Sequence, residues 1–417
     1  MTSTTIYPLE AVRTLALYTQ RLTAPLGAEP AVTPEILYAI VDHLGCVQID
    51  TLQIVQRSQY LVLWSRLGVY NTADLDHIAY GDTGVSRRLF EYWMHSACLI
   101  PLTDFRYRLP AMNRYRQQGK WFHGWKDNPD NQALMKAVLE RVQREGALRA
   151  ADFEHSGKRQ SKWWDWQPAK HALEQLYNEG ALMIAGRMNF QRVYDLPERV
   201  LPDWVDKHLP SDVEAEQFLV QRSLRTLGIC NPAQAGAMVY AKVSTARSVM
   251  RQLFETGVAV EVQTRLSDGE LYPLVIHRDW LPQLEQAACG ELRAERTTFL
   301  SPFDNLFWPA HRDEKFWSFR KSLEAYKPKD QRQFGYFELP ILHRDRLVGR
   351  IDPKMDRQTG TLLLKAINLE RGIKPDEELV SGLVTALHSF MQFHNARDLI
   401  ISRSAPVGLR RKLLTAF

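Results

Sequence analysis

The sequence predicts an α+β protein, mainly α, built from tandem winged helix–turn–helix units followed by a C-terminal β-barrel. Three observations carry this. Apolar residues recur at helical spacing over most of the first 290 positions, and several of the runs end at a glycine. An order of helix, helix, helix and hairpin occurs twice, over about 131–196 and 212–276. After Arg296 the pattern changes to short apolar strands separated by tight turns.

Composition bounds the reading before any single element does. The 417 residues are 45% hydrophobic and 24% charged, the balance of a globular protein too long for one ordinary core. There are 53 Lys and Arg against 48 Asp and Glu, a net +5, which permits an anionic partner without demanding one. Cys46, Cys98, Cys230 and Cys289 stand far apart and match no metal-ligand spacing, so they read as reduced thiols of a cytoplasmic protein, and no metal or cofactor is expected. No signal peptide pattern opens the chain and no apolar run is long enough to span a membrane.

In chain order, Leu9, Val12, Leu15 and Ala16 mark a first helix over 8–22. Thr33-Pro34 opens a second as N-cap and first-turn proline, and Gly45 closes it. Val47-Gln48-Ile49-Asp50 then reads as extended, which sends Val47 and Ile49 to one face and Gln48 and Asp50 to the other. An amide beside a carboxylate can hold and polarise one water; the bland alternative is that Asp50 caps the next helix. That helix covers 58–67 and stops at Gly68. Leu89 to His95 is apolar with Glu91 and His95 four apart, which on a helix would share a side and make an internal ion pair or support the site. Residues 104–130 interleave Arg106, Arg108, Arg114, Arg116, Lys120 and Lys126 with Tyr107, Tyr115, Trp121 and Trp125, a mixture suited to phosphates and bases or to packing on a neighbour.

The first repeat places its wing at 181–196, around Gly186 to Asn189, and the second at 258–276. Strands are expected at 297–304, 334–342, 347–352 and 360–366, and residues 312–357 hold 12 Lys and Arg against 8 Asp and Glu. A helix over 376–394 and a loose basic tail complete the chain. The expected division is 1–130 for an N-terminal winged-helix-like domain carrying Gln48 and Asp50, 131–205 and 206–295 for two further winged helices, 296–400 for the barrel with its helix, and 401–417 for the tail.

Taken jointly, several strings resemble the winged-helix DNA glycosylases of the YcaQ/AlkZ type. They are Val47-Gln48-Ile49-Asp50-Thr51-Leu52, Leu63-Trp64-Ser65-Arg66-Leu67-Gly68, Leu89-Phe90-Glu91-Tyr92-Trp93, Phe190-Gln191-Arg192-Val193-Tyr194-Asp195-Leu196, Leu300-Ser301-Pro302-Phe303-Asp304 and Val348-Gly349-Arg350-Ile351-Asp352-Pro353-Lys354. The resemblance implies three tandem winged helices and a barrel, a basic DNA-binding surface, excision of alkylated bases and unhooking of interstrand crosslinks. Gln48-Ile49-Asp50 falls on the Gln-apolar-Asp, YcaQ-like branch, which is bacterial, and implies Gln48 and Asp50 as catalytic residues.

The expected activity is that of a monofunctional DNA glycosylase acting on N7-substituted purines, a monomer in the bacterial cytoplasm, associated with the nucleoid through double-stranded DNA. Arg57, Arg187, Arg192, Arg350 and Lys354 are the expected DNA contacts, with Glu91 and His95 in possible support. The competing reading is a non-enzymatic winged-helix regulator; no heptad pattern of a dimerising helix favours it. A nuclease would need clustered carboxylates for metal, and a lyase a nucleophilic amine beside Gln48 and Asp50, where no lysine stands in the sequence.

Overall fold

The computed structural model describes residues 5–27, 31–82, 86–118, 124–153, 168–239 and 241–417. Lys120 and Trp121 of the basic, aromatic run lie outside them. The chain forms two compact units, one made of residues 1–72, 93–98 and 219–417, the other of 73–92 and 99–218. No helix among the described residues is long and apolar enough to cross a membrane.

In the first unit the second helix forms as its punctuation requires. Thr33 Oγ1 accepts the Ile36 N–H at 3.4 Å, Pro34–Leu44 is helical, and Gly45 takes φ 77° to end it. Helices Leu9–Tyr18 and Ser58–Leu67 lie on either side in sequence. An unanticipated strand, Ile6–Tyr7, runs parallel to Ala259–Arg265. That strand pairs antiparallel with Leu271–His277, which pairs in turn with Ile229–Cys230. Leu15, Ala16, Leu17, Ile229, Val262, Ile276, Leu306 and Phe316 therefore share one core, uniting stretches that the sequence division separates.

The second sheet of this unit is a half-barrel in strand order. Thr297–Phe299, Leu339–His343, Arg346–Asp356 and Thr361–Leu369 are antiparallel neighbours, and Asp398–Ile401 and Ser404–Ala405 return parallel to the last. A register shift at Asp352/Pro353 is where a proline is tolerated in an inner strand. Helix Glu377–Phe393, capped by Asp376, contributes Phe390, which meets Trp64 edge-on at 4.8 Å. Two expectations are corrected here. Residues 334–338 are loop, not strand, because the Tyr336 and Phe337 N–H groups donate to the Asp352 carboxylate. The tail is not loose, because Leu409 and Leu413 of helix Gly408–Ala416 are fully buried.

The second unit contains helices Leu109–Gln118, Pro129–Glu145 and Pro168–Asn178. Its sheet is the hairpin Met183–Met188 and Gln191–Asp195 with Leu148–Arg149 alongside. The hairpin turns through Asn189 and Phe190, at φ 48° and 66°, the left-handed pair of a two-residue loop. Around the other hairpin the same order recurs: Asp212–Leu227, Pro232–Ala237 behind a capping box of Asn231 and Gln234, Val243–Glu255, then the strands.

Candidate active site

The Gln48 and Asp50 stretch is fixed by its backbone. The Ile49 N–H donates to the Ala97 carbonyl at 2.8 Å, beside the short strand Val47–Gln48. The Asn305 amide donates to the carbonyls of Cys46 at 2.9 Å and Leu44 at 3.4 Å. The next residue back, Asp304, makes a bidentate pair with Arg66 at 2.5 and 2.8 Å, both side chains fully buried. Ser301 Oγ meets Ser58 Oγ at 3.3 Å. Leu300 to Asn305 is thus the buttress that holds the motif on its helix.

Val47 and Ile49 are buried as expected, but Gln48 is also nearly covered, at 7% exposure, while Asp50 is half-buried. Asp50 does not cap the next helix. Its Oδ1 accepts the Leu52 N–H at 2.8 Å, an Asx turn, and the helix begins only at Ser58. Burial pushes the Asp50 carboxyl above the usual aspartate range, against the N–H groups of Leu52 and Thr51 and the charge of Arg57. Arg57 itself donates to the Thr51 carbonyl at 3.1 Å, closing the loop that carries the carboxylate.

His95 and Glu91 do not share a helix. Leu89–Trp93 and Ala97–Pro101 are strands, and His95 lies in the turn between them, where Met94 N–H donates to Ser96 O. The aromatic run Phe90, Tyr92 and Trp93 favours strand over helix in so short an apolar segment. In the first unit His95 stacks on Trp308, 5.0 Å between centroids and 19° between planes. Burial, then the charge of Lys321, hold its imidazole below the ordinary range and so neutral.

Glu91 belongs to the second unit, wholly buried. It accepts Arg187 Nη2 at 2.6 Å and Nε at 2.9 Å, Arg192 Nε at 2.9 Å and the Tyr80 hydroxyl at 3.0 Å. Burial would raise its carboxyl, but the charges of Arg192 and Arg187 outweigh that and hold it below the usual range. The expected phosphate contacts Arg187 and Arg192 are therefore engaged by this carboxylate, at 13% and 15% side-chain exposure. Arg350 is also turned inward, between Glu338 at 3.2 Å and Glu370 at 2.6 Å, with its guanidinium over Phe319 and Phe334. Lys354 lies exposed on strand Arg346–Asp356.

Three residues near the motif escaped sequence reasoning. Trp308 carries His95, Lys321 acts electrostatically on it, and exposed Tyr326 feels the Asp50 charge. Only Tyr326, in the basic run Tyr326-Lys327-Pro328-Lys329, carried a signal, since basic residues beside an aromatic fit nucleic acid.

A half-buried carboxylate made more basic than usual, two residues from an amide side chain on a braced loop, is equipped to activate water. A sequence profile places the chemistry on DNA: that of the AlkZ-like DNA glycosylases matches residues 41–393, and the chain belongs to that family. It is accordingly a glycosylase, an enzyme rather than a regulator, with DNA as the substrate its family implies. Among solved structures, its fold is similar to that of the Streptomyces sahachiroi DNA glycosylase AlkZ, at 14% identity and a TM-score of 0.62, over 95% of this chain and 100% of that one.

Proposed function

We propose that this glycosylase is monofunctional, hydrolyses the N-glycosidic bond of N7-alkylated purines and unhooks interstrand crosslinks made through N7. The observation that carries the reading is Asp50, a half-buried carboxylate of raised basicity on a braced loop. Alkylation at N7 makes the purine cationic, so the C1′–N9 bond breaks with its electron pair going to the base, which leaves neutral. The sugar develops oxocarbenium character that Asp50 stabilises electrostatically. Water held by the Gln48 amide adds its oxygen to C1′ and gives a proton to Asp50. No leaving-group acid is needed, because the positive charge already does that work.

A crosslinked nucleotide cannot rotate freely out of the duplex, and the partial exposure of Asp50 supports a site that receives the lesion at the surface. The two helix–hairpin repeats are read as winged helices, with the Gln48 segment in a third. Arg57 and Lys354 remain the assigned phosphate contacts, whereas Arg187, Arg192 and Arg350 shape their own elements. The protein acts as a monomer on double-stranded DNA in the bacterial cytoplasm.

The test uses one duplex with a single N7-linked nitrogen-mustard crosslink and one with N7-methylguanine, each treated with wild type and Asp50→Asn and then with alkali. Strand cleavage at both lesions by wild type alone is expected. Release of N7-methylguanine only would remove the crosslink role, and equal activity of Asp50→Asn would remove Asp50 from the chemistry.

A further inference from the structure

Tyr326 is 73% exposed, more than any other aromatic side chain among the described residues with a large exposed apolar surface. Its loop is nevertheless anchored. Glu324, 1% exposed, accepts the N–H groups of Phe334 at 2.8 Å and Gly335 at 3.3 Å. Lys327 N–H closes a turn on the Glu324 carbonyl at 3.0 Å, and Arg332 Nε reaches the Lys327 carbonyl at 2.9 Å. An aromatic ring presented to water on a braced loop is available for contact without first being ordered.

Strand Arg346–Asp356 places this loop beside the motif. Asp352 accepts Tyr336 and Phe337 N–H from the far end of the loop. Three residues along, the Met355 N–H donates to the Ile54 carbonyl at 3.2 Å, and Arg357 reaches the Val55 carbonyl at 2.6 Å. Three residues of strand, about 10 Å, separate the two anchors, so the loop and the segment that follows Asp50 are held by one strand. Burial, then the charges of Asp50 and Tyr336, raise the Tyr326 phenol, which ties the ring electrostatically to the motif.

We propose that Tyr326 is a positioning residue that lays its ring against the cationic N7-alkylpurine and sets its sugar at Asp50. The inference rests on the glycosylase reading and adds the basis of lesion selection. A neutral aromatic face attracts a cation, whereas an aliphatic side chain does not. An unmethylated purine lacks the charge, so the ring discriminates for the damaged base.

The experiment measures binding by fluorescence anisotropy to a duplex with 2′-fluoro-N7-methylguanine, whose fluorine prevents base loss, and to the same duplex unmethylated. Base release is measured in parallel on N7-methylguanine. Wild type is expected to favour the methylated duplex by about fivefold. Y326L is expected to lose that preference while binding the unmethylated duplex within about twofold of wild type, and Y326F and Y326W to recover most of it. A preference retained in Y326L, or absent from wild type, overturns the role of Tyr326 while release by wild type leaves the glycosylase standing. No release by wild type overturns the glycosylase reading itself, and this inference with it.

Discussion

Glu91→Gln is the sharpest perturbation of the scaffold. The variant keeps the shape of the side chain and removes one charge from a site where Arg187, Arg192 and Tyr80 all donate to it. Breaking a buried ion pair from one side costs about 3–5 kcal/mol, because the partner charges stay behind. Here both guanidiniums keep some contact with water, at 13% and 15% exposure, which places the expectation at the lower end, about 3 kcal/mol. The assay is urea unfolding, with hydrogen exchange reporting on strands Met183–Met188 and Gln191–Asp195. The pH dependence supplies a second reading. The Glu91 carboxyl is depressed, so its contribution is present above the ordinary glutamate range and lost as pH falls through the folded-state value; Glu91→Gln removes that acid-side loss. Replacing Glu91, Arg187 and Arg192 together by methionine should cost far less than Glu91→Gln alone, since no charge is stranded. A Glu91→Gln cost below about 1 kcal/mol would refute the account, by showing that the pair is solvated.

Asp50→Asn should abolish base release and leave the affinity for undamaged duplex within about threefold, since a single uncharged isostere touches no phosphate contact; single-turnover assays and anisotropy measure the two. Because burial raises the Asp50 carboxyl and its ionised form is the proposed base, the acid limb of the pH–rate profile should lie above that of an ordinary aspartate, with activity rising as pH rises through it. Asn305→Ala removes both donors to the Leu44 and Cys46 carbonyls; it should destabilise by about 1–3 kcal/mol and lower kcat more than it raises KM. Glu338 is pushed up to about 7, by burial foremost and by Glu324, against Arg350. A raised acid contributes stability that is full below the unfolded value near 4.5 and lost as pH rises through about 7, and Glu338→Gln should flatten that slope in thermal unfolding measured from pH 5 to 8.

What was legible in the sequence is what neighbouring residues decide. Thr33-Pro34 and Gly45 fix both ends of a helix by local capping chemistry, and the structure shows that cap and that left-handed glycine. The hairpin of the first repeat was legible, but its turn falls at Asn189 and Phe190 and not over Gly186 to Asn189, because Gly186, Arg187 and Met188 pair with Val193, Arg192 and Gln191. Illegible were the features decided by partners far along the chain. Ile6–Tyr7 is a strand because Ala259–Arg265 offers it an edge, and two residues carry no period. Leu89 to Trp93 is too short for periodicity to separate helix from strand, so the spacing of Glu91 and His95 was read on a helix they do not form. Arg187, Arg192 and Arg350 look like any surface arginine in sequence; only the fold reveals the carboxylates that claim them.

The buried Arg66–Asp304 pair bears on how the site works. A carboxylate that must bind one water and stabilise a developing cation loses its advantage if it can move, because electrostatic stabilisation depends on dipoles and charges already in place. Asp50 itself is held by the N–H groups of Leu52 and Thr51 and by the nearby Arg57. The rigidity is supplied one layer below, where Asn305 grips the motif backbone and Asp304 is clamped by Arg66. Loss of that clamp would leave a buried charge unpaired, so the buttress either holds its geometry or unfolds, with little room between. The scaffold thus concentrates rigidity behind the carboxylate and leaves that side chain half-buried, the division of labour that the proposed unhooking of crosslinks requires.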